Sequence, residues 1–430
     1  MNILLLGAGG REHAIAWALA KSAQCTKLYV APGNGGTDAV AENVSTLDAA
    51  DPTAVLAFAC DHAIGLVVIG PEAPLVAGVA DALRAADIAV FGPDAQGAQL
   101  EGSKTYSKAF MDANAIPTAA YASFTEEAPA LAYIDEMGAP IVVKADGLAA
   151  GKGVIVAETI EAAKTAVADC FSGAFGAAGN TVLIEEYMTG PECSLLAFIT
   201  AGQAFCMQTA QDHKRAFEGD CGPNTGGMGV YSPVPIVTDE ELHTMQHLME
   251  VSAAATAQPP FAHDYRGVLY GGFMLTPQGP KLLEFNARFG DPETQVILPR
   301  LETDLVSIML AVAQGKPEDV HLAWSDQWAV CVVLASEGYP GAYEKGKVIL
   351  GIDDAEELEG VSVFHAGTAR NGDGELITAG GRVLNVVALG DTFEEARELA
   401  YEACDRINFE GKQLRKDIGQ RAAAGRGAWD

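Results

Sequence analysis

The chain has 430 residues, of which 49% are hydrophobic, and its formal net charge is −30. This length suggests about three domains of the usual ~150 residues each. The acidic balance argues against nucleic acid as a partner, because neutralising phosphates requires clustered Lys and Arg. The eight cysteines are scattered without a C-x-x-C pair, which indicates reduced thiols rather than a zinc site.

The apolar run at the start of the chain, residues 3–6, is too short for a signal peptide or a membrane span. No basic segment precedes it, as a secretory signal would require. We therefore expect a cytoplasmic protein with neither a membrane nor a nucleic-acid partner. We also expect a monomer.

Residues 1–102 alternate short apolar runs with helical patterns. The runs "NILLL", "KLYVA", "GLVVIG" and "IAVFG" predict strands, and residues 11–22 and 74–86 predict helices between them. Such alternation is typical of right-handed βαβ units. We expect an N-terminal domain of the α/β class with a Rossmann-like parallel sheet.

The glycine-rich turn after the first strand resembles a dinucleotide-binding turn but lacks two of its requirements. Glu12 stands where a small residue is needed, and the second strand ends in "YVAPGN" without a carboxylate for a ribose. This argues against a dehydrogenase. The N–H groups of Gly9 and Gly10 at a helix N-terminus still suit a lone phosphate or a polar substrate group. The alternative is a tight turn that binds no ligand.

After a helix at 103–114, residues from about 120 to 191 predict a compact α+β unit able to move as a lid. The predicted order is helix, strand 140–145, Gly-rich loop, strand 153–157, helix 159–170 and strand 181–187. Lys144 ends the first of these strands, and Gly147, Gly151 and Gly153 follow, without the spacing of a P-loop. The loop either closes over phosphates that Lys144 neutralises or is an ordinary connection between strands.

The next strand, "VLIEEYMTGPE", runs from the lid into the main body. Its backbone can meet an adenine edge, and Glu192 can accept hydrogen bonds from ribose hydroxyls. Alternatively, its glutamates are solvated surface charges.

The stretch "KLLEFNARFGDPETQ" carries the sharpest chemical signal. Strand alternation puts Glu284 and Asn286 on one face, with Leu283 and Phe285 on the other. A carboxylate and an amide oxygen suit Mg²⁺, whose coordination substrate phosphates usually complete. Arg288 shares that face if the strand continues. The alternative is a polar strand face turned to solvent.

Residues 211–233 combine Asp212, His213 and Lys214 with the glycines Gly226 and Gly227, as expected of an active-site loop or of a long flexible surface loop. The strands "GVLYGGFMLT" and "KLLEFNARF", joined through "PQGP", predict a hairpin. The tail predicts strands at 328–335, 361–365 and 382–389, followed by an amphipathic helix at 392–407.

At these residues the sequence resembles the glycinamide ribonucleotide synthetase family of ATP-grasp ligases. The resemblance rests on "GAGGREHAIAW", "GPEAPLVAG", "AQLEGSK", "KADGLAAGKGV", "QDHKR", "GPNTGGMG", "EFNARFGDPETQ" and "GGRVLNVVALG", and it extends from residue 1 to about 425. It implies a Rossmann-like pre-ATP-grasp domain at 1–102, an ATP-grasp α+β region at 103–327 with its mobile lid at about 120–191, and a mixed α/β C-terminal domain at 328–430.

The resemblance also implies the chemistry. ATP phosphorylates the carboxylate of glycine, and the amine of 5-phosphoribosylamine attacks the glycyl phosphate, so no protein nucleophile is required. The implied cofactors are ATP, as co-substrate, and Mg²⁺ or Mn²⁺.

The site residues follow from the same resemblance. Glu284 and Asn286 match metal ligands, Lys104 and Lys144 match phosphate ligands, Gly151 and Gly153 match the flap, and Glu185, Met188 and Glu192 match the adenine-ribose edge. Arg288 matches the arginine that steadies the transferred phosphoryl group, and Asp291 is a candidate for orienting the amine. By weaker analogy, Glu72 contacts the ribose and Arg382 the 5-phosphate.

One departure from related ATP-grasp enzymes concerns the strand before the metal strand. Many of them carry a carboxylate there, whereas "GVLYGGFML" offers none, so phosphates and water must complete the metal coordination. Two alternatives stay open. One is another ATP-grasp ligase or carboxylase with a different acceptor, and the other is a nucleotide-binding regulator without catalysis.

Overall fold

A computed structural model describes residues 1–147 and 153–424 of the chain. The N-terminal region is a parallel sheet with the order β3-β2-β1-β4-β5, which confirms the predicted α/β class. Its elements are β1 (Asn2–Gly7), α1 (Gly10–Ala20), β2 (Lys27–Pro32), β3 (Glu42–Asn43), α2 (Pro52–Asp61), β4 (Ile64–Ile69), α3 (Glu72–Val76), α4 (Val79–Ala85) and β5 (Val90–Phe91).

The predicted helix at 74–86 is wrong as one continuous element, because α3 ends before α4 begins. Gly78 lies between them with φ +80°, a left-handed conformation that glycine adopts without a steric penalty. The chain turns there, and Glu72 stays in the short first helix, close to the carboxyl end of the parallel sheet.

The lid is an antiparallel sheet with the order β6-β9-β7-β8, and α7 and α8 pack together beside it. Ile134, Val143, Val167 and Ile184 belong to its separate apolar core. Strand β6 is absent from the sequence prediction, since "YASF" is too short to show a period. The elements from the preceding helices onward are α5 (Gln99–Gly102), α6 (Lys104–Ala113), β6 (Tyr121–Phe124), α7 (Glu127–Met137), β7 (Ile141–Ala145), β8 (Val154–Ala157), α8 (Ile160–Phe171) and β9 (Val182–Glu186).

The body that faces the lid is an antiparallel sheet with the order β11-β10-β16-β17, and the predicted hairpin of β16 and β17 is confirmed. The elements of this stretch are β10 (Glu192–Thr200), β11 (Gln203–Cys206), β12 (Gln211–Asp212), β13 (Arg215–Phe217), β14 (Cys221–Asn224), β15 (Gly229–Ser232), α9 (Asp239–Thr256), β16 (Gly267–Thr276), β17 (Gly279–Asn286), α10 (Glu293–Ile297) and α11 (Leu305–Ala313).

The C-terminal region is an antiparallel sheet with helices, and its order is β12-β15-β18-β22-β19. Strands β12 and β15 come from the body, so the two regions share this sheet. Thr392 and Glu395 form a capping box at the start of α13, which packs on β18 and β22. The elements are β18 (Trp328–Ser336), α12 (Ile352–Glu356), β19 (Val361–His365), β20 (Thr368–Arg370), β21 (Leu376–Thr378), β22 (Arg382–Gly390), α13 (Phe393–Arg406), β23 (Lys412–Gln413) and α14 (Gln420–Ala424).

Short 3₁₀ turns complete the described secondary structure at Thr37–Ala39, Gly176–Asn180, Leu298–Arg300 and Pro317–Asp319. Within the described residues, no helix combines the length and apolar character needed to cross a bilayer.

Candidate active site

A cavity of about 430 Å³ opens between the lid sheet, the end of β17 and the start of α1. Most of the predicted site residues line it, although they come from distant parts of the chain. They are Glu72, Lys104, Lys144, Gly153, Glu185, Asp212, Lys214, Gly226, Glu284, Asn286, Arg288, Asp291 and Arg382. Gly151 lies outside the described residues.

The end of β17 presents the predicted metal pair to this cavity. Glu284 and Asn286 both line it, two positions apart, as strand alternation predicts. Within the described part of the chain, no hydrogen bond or ion pair occupies the Glu284 carboxylate, and no group of three or more His, Cys, Asp and Glu side chains forms a metal site. A cation here would therefore take one carboxylate, one amide oxygen and ligands from outside the protein.

The Glu284 carboxylate sits among cations. Burial alone would raise the pKa of Glu284, but the nearby charges of Lys214, Lys144, Lys104 and Arg288 outweigh it and lower the pKa. The carboxylate is thus ionised at neutral pH, the state in which it binds a hard cation.

Leu283 does not share the buried face with Phe285, so that part of the strand prediction is wrong. Gly272 pairs with Glu284 and Phe273 with Leu282, which leaves Leu283 as the extra residue of a β-bulge. Leu282 and Phe285 therefore both belong to the main apolar core, whereas Leu283 packs against the smaller cluster of Ala119, Met188 and Met274. Leu283 and Phe285 both also line the cavity.

Arg288 is held between carboxylates at the mouth of this strand. Its Nη2 lies 2.7 Å from Glu101 Oε1 and 3.4 Å from Asn286 Oδ1, and its Nε lies 3.5 Å from Glu72 Oε2. Burial opposes the charged form, yet Glu101 and Glu72 raise the pKa of Arg288 above its usual value. The guanidinium is thus a fixed cation beside the metal pair.

Asp291 is fixed by groups from three regions of the chain. Its carboxylate accepts hydrogen bonds from Gln295 Nε2 at 2.9 Å and from the Arg11 backbone N–H at 3.3 Å, and Arg382 Nη2 lies 3.2 Å away. Burial would raise the pKa of Asp291, but Arg382 and Arg11 outweigh it and lower the pKa. Asp291 is therefore an ionised acceptor at neutral pH.

The turn at Gly9 already holds a carboxylate of the chain itself. Glu12 Oε2 accepts the Gly9 N–H at 2.6 Å, and a Cβ built on Gly7 or Gly70 would lie within 2.6 Å of the Glu12 side chain. A Cβ at Gly10 would lie 2.2 Å from Asn385 Nδ2. Glu12 thus takes the Gly9 N–H that the turn would otherwise offer to an anion, and neither Gly9 nor Gly10 lines the cavity.

The lysines of the proposed phosphate site are tied to the protein in this structure. Lys144 Nζ lies 2.8 Å from Glu185 Oε2, and Lys104 Nζ donates to the Gly147 carbonyl at 3.1 Å. Burial lowers the pKa of Lys104. Glu185, matched to the adenine edge, is itself paired with lysines rather than free.

The loop that contains Asp212 divides its residues between two surfaces. Asp212 and Lys214 line the cavity, and Lys214 Nζ lies 2.8 Å from Glu192 Oε2. Because side chains alternate along this extended segment, His213 points away, and its Nε2 accepts the Gly419 N–H at 3.0 Å. Burial, followed by the charge of Arg415, lowers the pKa of His213 to about 4.

Three further predicted residues, Met188, Gly227 and Glu192, lie outside the cavity lining. Met188 packs with Ala119 and Met274, and a Cβ on Gly227 would lie 2.5 Å from Pro292 Cδ. Glu192 reaches the site through its ion pair with Lys214.

Sequence reasoning missed Arg11, Glu101, Lys108 and Glu293, all of which line the cavity. Glu293 Oε1 accepts a hydrogen bond from Tyr270 OH at 3.0 Å. Arg11 lies in the stretch "GAGGREHAIAW" and Glu101 in "AQLEGSK", two of the stretches that carry the family resemblance. A charged residue within such a stretch is the sequence feature that could have identified each of them as a site residue.

Three family models match the chain. They are described as Phosphoribosylglycinamide synthetase N domain, matching residues 1–101, its ATP-grasp (A) domain, matching 102–294, and its C domain, matching 329–421. Curated relatives named phosphoribosylamine–glycine ligase include one from Mesorhizobium japonicum, 52% identical over 427 residues, and one from Yersinia pestis, 51% identical over 430 residues. In both alignments 99% of each protein is covered.

Two solved structures are similar to this chain, one at high and one at low sequence identity. The crystal structure of a phosphoribosylamine–glycine ligase from Thermotoga maritima has a TM-score of 0.85 and 35% identity, over 97% of this chain and all of that one. The biotin carboxylase domain of Hydrogenobacter thermophilus 2-oxoglutarate carboxylase has a TM-score of 0.74 at 15% identity, over 100% of this chain and 98% of that one. The second likeness concerns the fold alone.

Proposed function

The chain belongs to the phosphoribosylglycinamide synthetase family, and we propose that the cavity beside Glu284 and Asn286 is its active site. Its activity is the ATP-dependent ligation of glycine to 5-phosphoribosylamine, which gives glycinamide ribonucleotide in purine biosynthesis. One observation carries the assignment of the site. An ionised Glu284, with no hydrogen bond or ion pair to the described residues, meets Asn286, Arg288 and the lysines Lys104, Lys144 and Lys214 in one cavity.

The nucleotide lies between the lid and the body in this proposal. Lys104 and Lys144 neutralise its phosphates, together with the backbone of the loop that contains Gly151 and Gly153. The segment from Glu185, at the end of β9, through Met188 to Glu192, at the start of β10, faces the adenine and ribose. In support, Lys104, Lys144 and Gly153 line the same cavity as the metal pair.

The metal is proposed to be Mg²⁺ or Mn²⁺ on Glu284 and Asn286. The donor set fits, because one ionised carboxylate and one amide oxygen leave coordination positions for phosphates and water. When bound, such a cation neutralises the triphosphate and so reduces its repulsion of an incoming carboxylate.

Two transfers complete the reaction. A glycine carboxylate oxygen attacks the γ-phosphorus and ADP leaves; the amine nitrogen of phosphoribosylamine then attacks the glycyl carbonyl carbon, phosphate leaves and the amine loses a proton. We assign Arg288 to the charge on the transferred phosphoryl group, and a fixed donor of this kind typically contributes about 10²–10³ in rate. Closure of the lid would keep water from the glycyl phosphate.

The remaining residues are assigned to the substrates. Asp291, an ionised acceptor, orients the attacking amine, and Arg382 beside it binds the 5-phosphate, with Glu72 near the ribose. Glycine lies near Asp212 and Lys214, while Gly226 closes that side of the cavity. None of His213, Gly227, Gly9 and Gly10 lines the cavity, so we propose that they support the lining residues from behind rather than contact a substrate.

We further propose three domains, at 1–102, 103–327 and 328–430, in a cytoplasmic monomer. All eight cysteines are free thiols, which supports a reducing compartment.

The test is to measure ADP release with glycine and phosphoribosylamine omitted in turn. A ligase needs glycine for ADP release and both substrates for glycinamide ribonucleotide. ADP release that needs bicarbonate instead of glycine would make the protein a carboxylase. Nucleotide binding without any ADP formation would make it a regulator.

A further inference from the structure

Lys108 has no part in the reaction described above, yet its ammonium is buried at the wall of the cavity. The residue is 2% exposed and lies on α6. Its Nζ donates to Thr118 Oγ1 at 2.7 Å and to the Ala119 carbonyl at 3.5 Å, and lies 3.4 Å from Glu185 Oε1. These contacts fix a charged group where the lid joins the body.

Glu185 is shared between two lysines. Lys144 Nζ lies 2.8 Å from one carboxylate oxygen and Lys108 Nζ 3.4 Å from the other, and the Glu185 side chain is 3% exposed. Lys144 and Glu185 lie on neighbouring strands of the lid, whereas Lys108 belongs to the body. One buried carboxylate is therefore neutralised by one lysine of the lid and one of the body.

The two lysines differ in what else they contact. Lys108 is anchored by Thr118, whose hydroxyl donates in turn to the Leu282 carbonyl at 2.6 Å on the metal strand. For the Lys144 ammonium, no second partner is found among the described residues. Lys144 is thus the lysine that can turn toward an anion, provided that Glu185 keeps a counter-charge.

We propose that Lys108 is a positioning residue for the nucleotide: it keeps Glu185 neutralised when Lys144 turns to the phosphates. This rests on the proposed assignment of Lys144 to the phosphates. Without Lys108, movement of Lys144 away from Glu185 would leave the buried Glu185 carboxylate without a counter-ion. An uncompensated buried charge is costly in free energy. Lys144 would then stay on Glu185, and the nucleotide would bind more weakly.

The titration of Lys108 gives this role a pH signature. The charged or titratable groups around it are Glu185 on β9, Lys144 on β7, Asp112 on its own helix and Tyr121 on β6. Burial lowers the pKa of Lys108 to about 8, although Glu185 favours the charged form. Lys108 thus carries its charge below about pH 8 and loses it above, so nucleotide affinity should fall as the pH rises through 8.

The experiment measures the dissociation constant of Mg·ADP by calorimetry from pH 7 to 9.5, for the wild type and for Lys108→Met, Lys108→Arg and Lys281→Met. Lys281 is the matched control. It joins β17 of the body to Glu186, the next residue on the lid strand, at 3.1 Å, but does not line the cavity.

The proposal predicts that wild-type affinity falls between pH 8 and 9.5, and that Lys281→Met follows it. Lys108→Met should bind about tenfold more weakly at pH 7, the effect of one charge-assisted contact, with no further loss at high pH. Lys108→Arg should keep its affinity and lose the pH dependence, since arginine does not titrate in this range.

Wild-type affinity that is constant to pH 9.5 would overturn the proposal, and this holds even if a variant fails to fold. A pH dependence that persists in Lys108→Arg would also overturn it, because another group, such as Lys104, would then be responsible. Mg·ADP binding needs neither glycine nor phosphoribosylamine, so this result is separate from the omission assay that tests the proposed function.

Discussion

Replacing Arg288 with alanine tests the centre of the proposed chemistry. The guanidinium lies 2.7 Å from Glu101 and 3.5 Å from Glu72, next to the metal pair. Its removal takes away the cation proposed to meet charge on the transferred phosphoryl group. It also leaves the Glu101 side chain, 8% exposed, without its counter-ion.

Both losses have an expected size. Loss of one fixed donor should lower kcat by about 10²–10³. Breaking a buried ion pair from one side should cost about 3 kcal/mol of unfolding free energy. The double variant Arg288→Ala with Glu101→Gln also removes the unpaired charge of the Glu101 carboxylate. It should therefore recover most of the free energy of unfolding but none of the lost kcat.

The assay couples ADP release to an optical signal with all substrates saturating, and urea unfolding gives the stability of each variant. Mg·ADP affinity should stay within a few-fold of the wild type, because Lys104 and Lys144 remain. A double variant with near wild-type kcat would refute the role given to Arg288, and the lost turnover of the single variant would then reflect misfolding.

Three further outcomes follow from the packing. Burial lowers the pKa of His13 to about 3, below its value near 6.5 in the unfolded chain. The contribution of the neutral His13 to the free energy of unfolding is therefore fully present above pH 6.5, and it falls on acidification because the unfolded chain takes up the proton first. His13→Gln should reduce that fall by about 1.4 kcal/mol per pH unit in urea unfolding between pH 6 and 4, whereas the exposed His247→Gln should not. Gly10→Ala should cost about 1–3 kcal/mol because its Cβ would meet Asn385, while Gly102→Ala, with 3.4 Å to its nearest neighbour, should melt like the wild type. Arg415→Met should cost about 1–3 kcal/mol in urea unfolding, since it removes the buried guanidinium that pairs with Asp417 and Asp220, while Asp220 keeps its ion pair with Arg421. An unchanged midpoint would contradict that ion-pair network.

Periodicity predicts the order of elements and the shared strand face of Glu284 and Asn286 well, because both depend on local sequence. The alternation along β17 places Glu284 and Asn286 on one face, as the structure has them. The bulge at Leu283 was not predictable in the same way. It arises from the register between β17 and β16, which no single strand encodes.

The partners of the site residues also come from the fold rather than from any motif. Arg11 and Asp291 are 280 positions apart, yet the Arg11 N–H donates to the Asp291 carboxylate. The sequence places His213 between Asp212 and Lys214 in one predicted loop, although alternation along an extended segment turns its side chain to the opposite side. Only the arrangement of the sheets shows that this side faces Gly419, which lies in the C-terminal region.

The most direct test of the account is the position of a divalent cation in crystals grown with ADP and Mn²⁺, located by anomalous scattering at the manganese edge. We predict one peak at about 2–2.4 Å from both Glu284 and Asn286 oxygens and in contact with the nucleotide phosphates. A peak bound elsewhere, with these two side chains turned away from the phosphates, would contradict the proposed site.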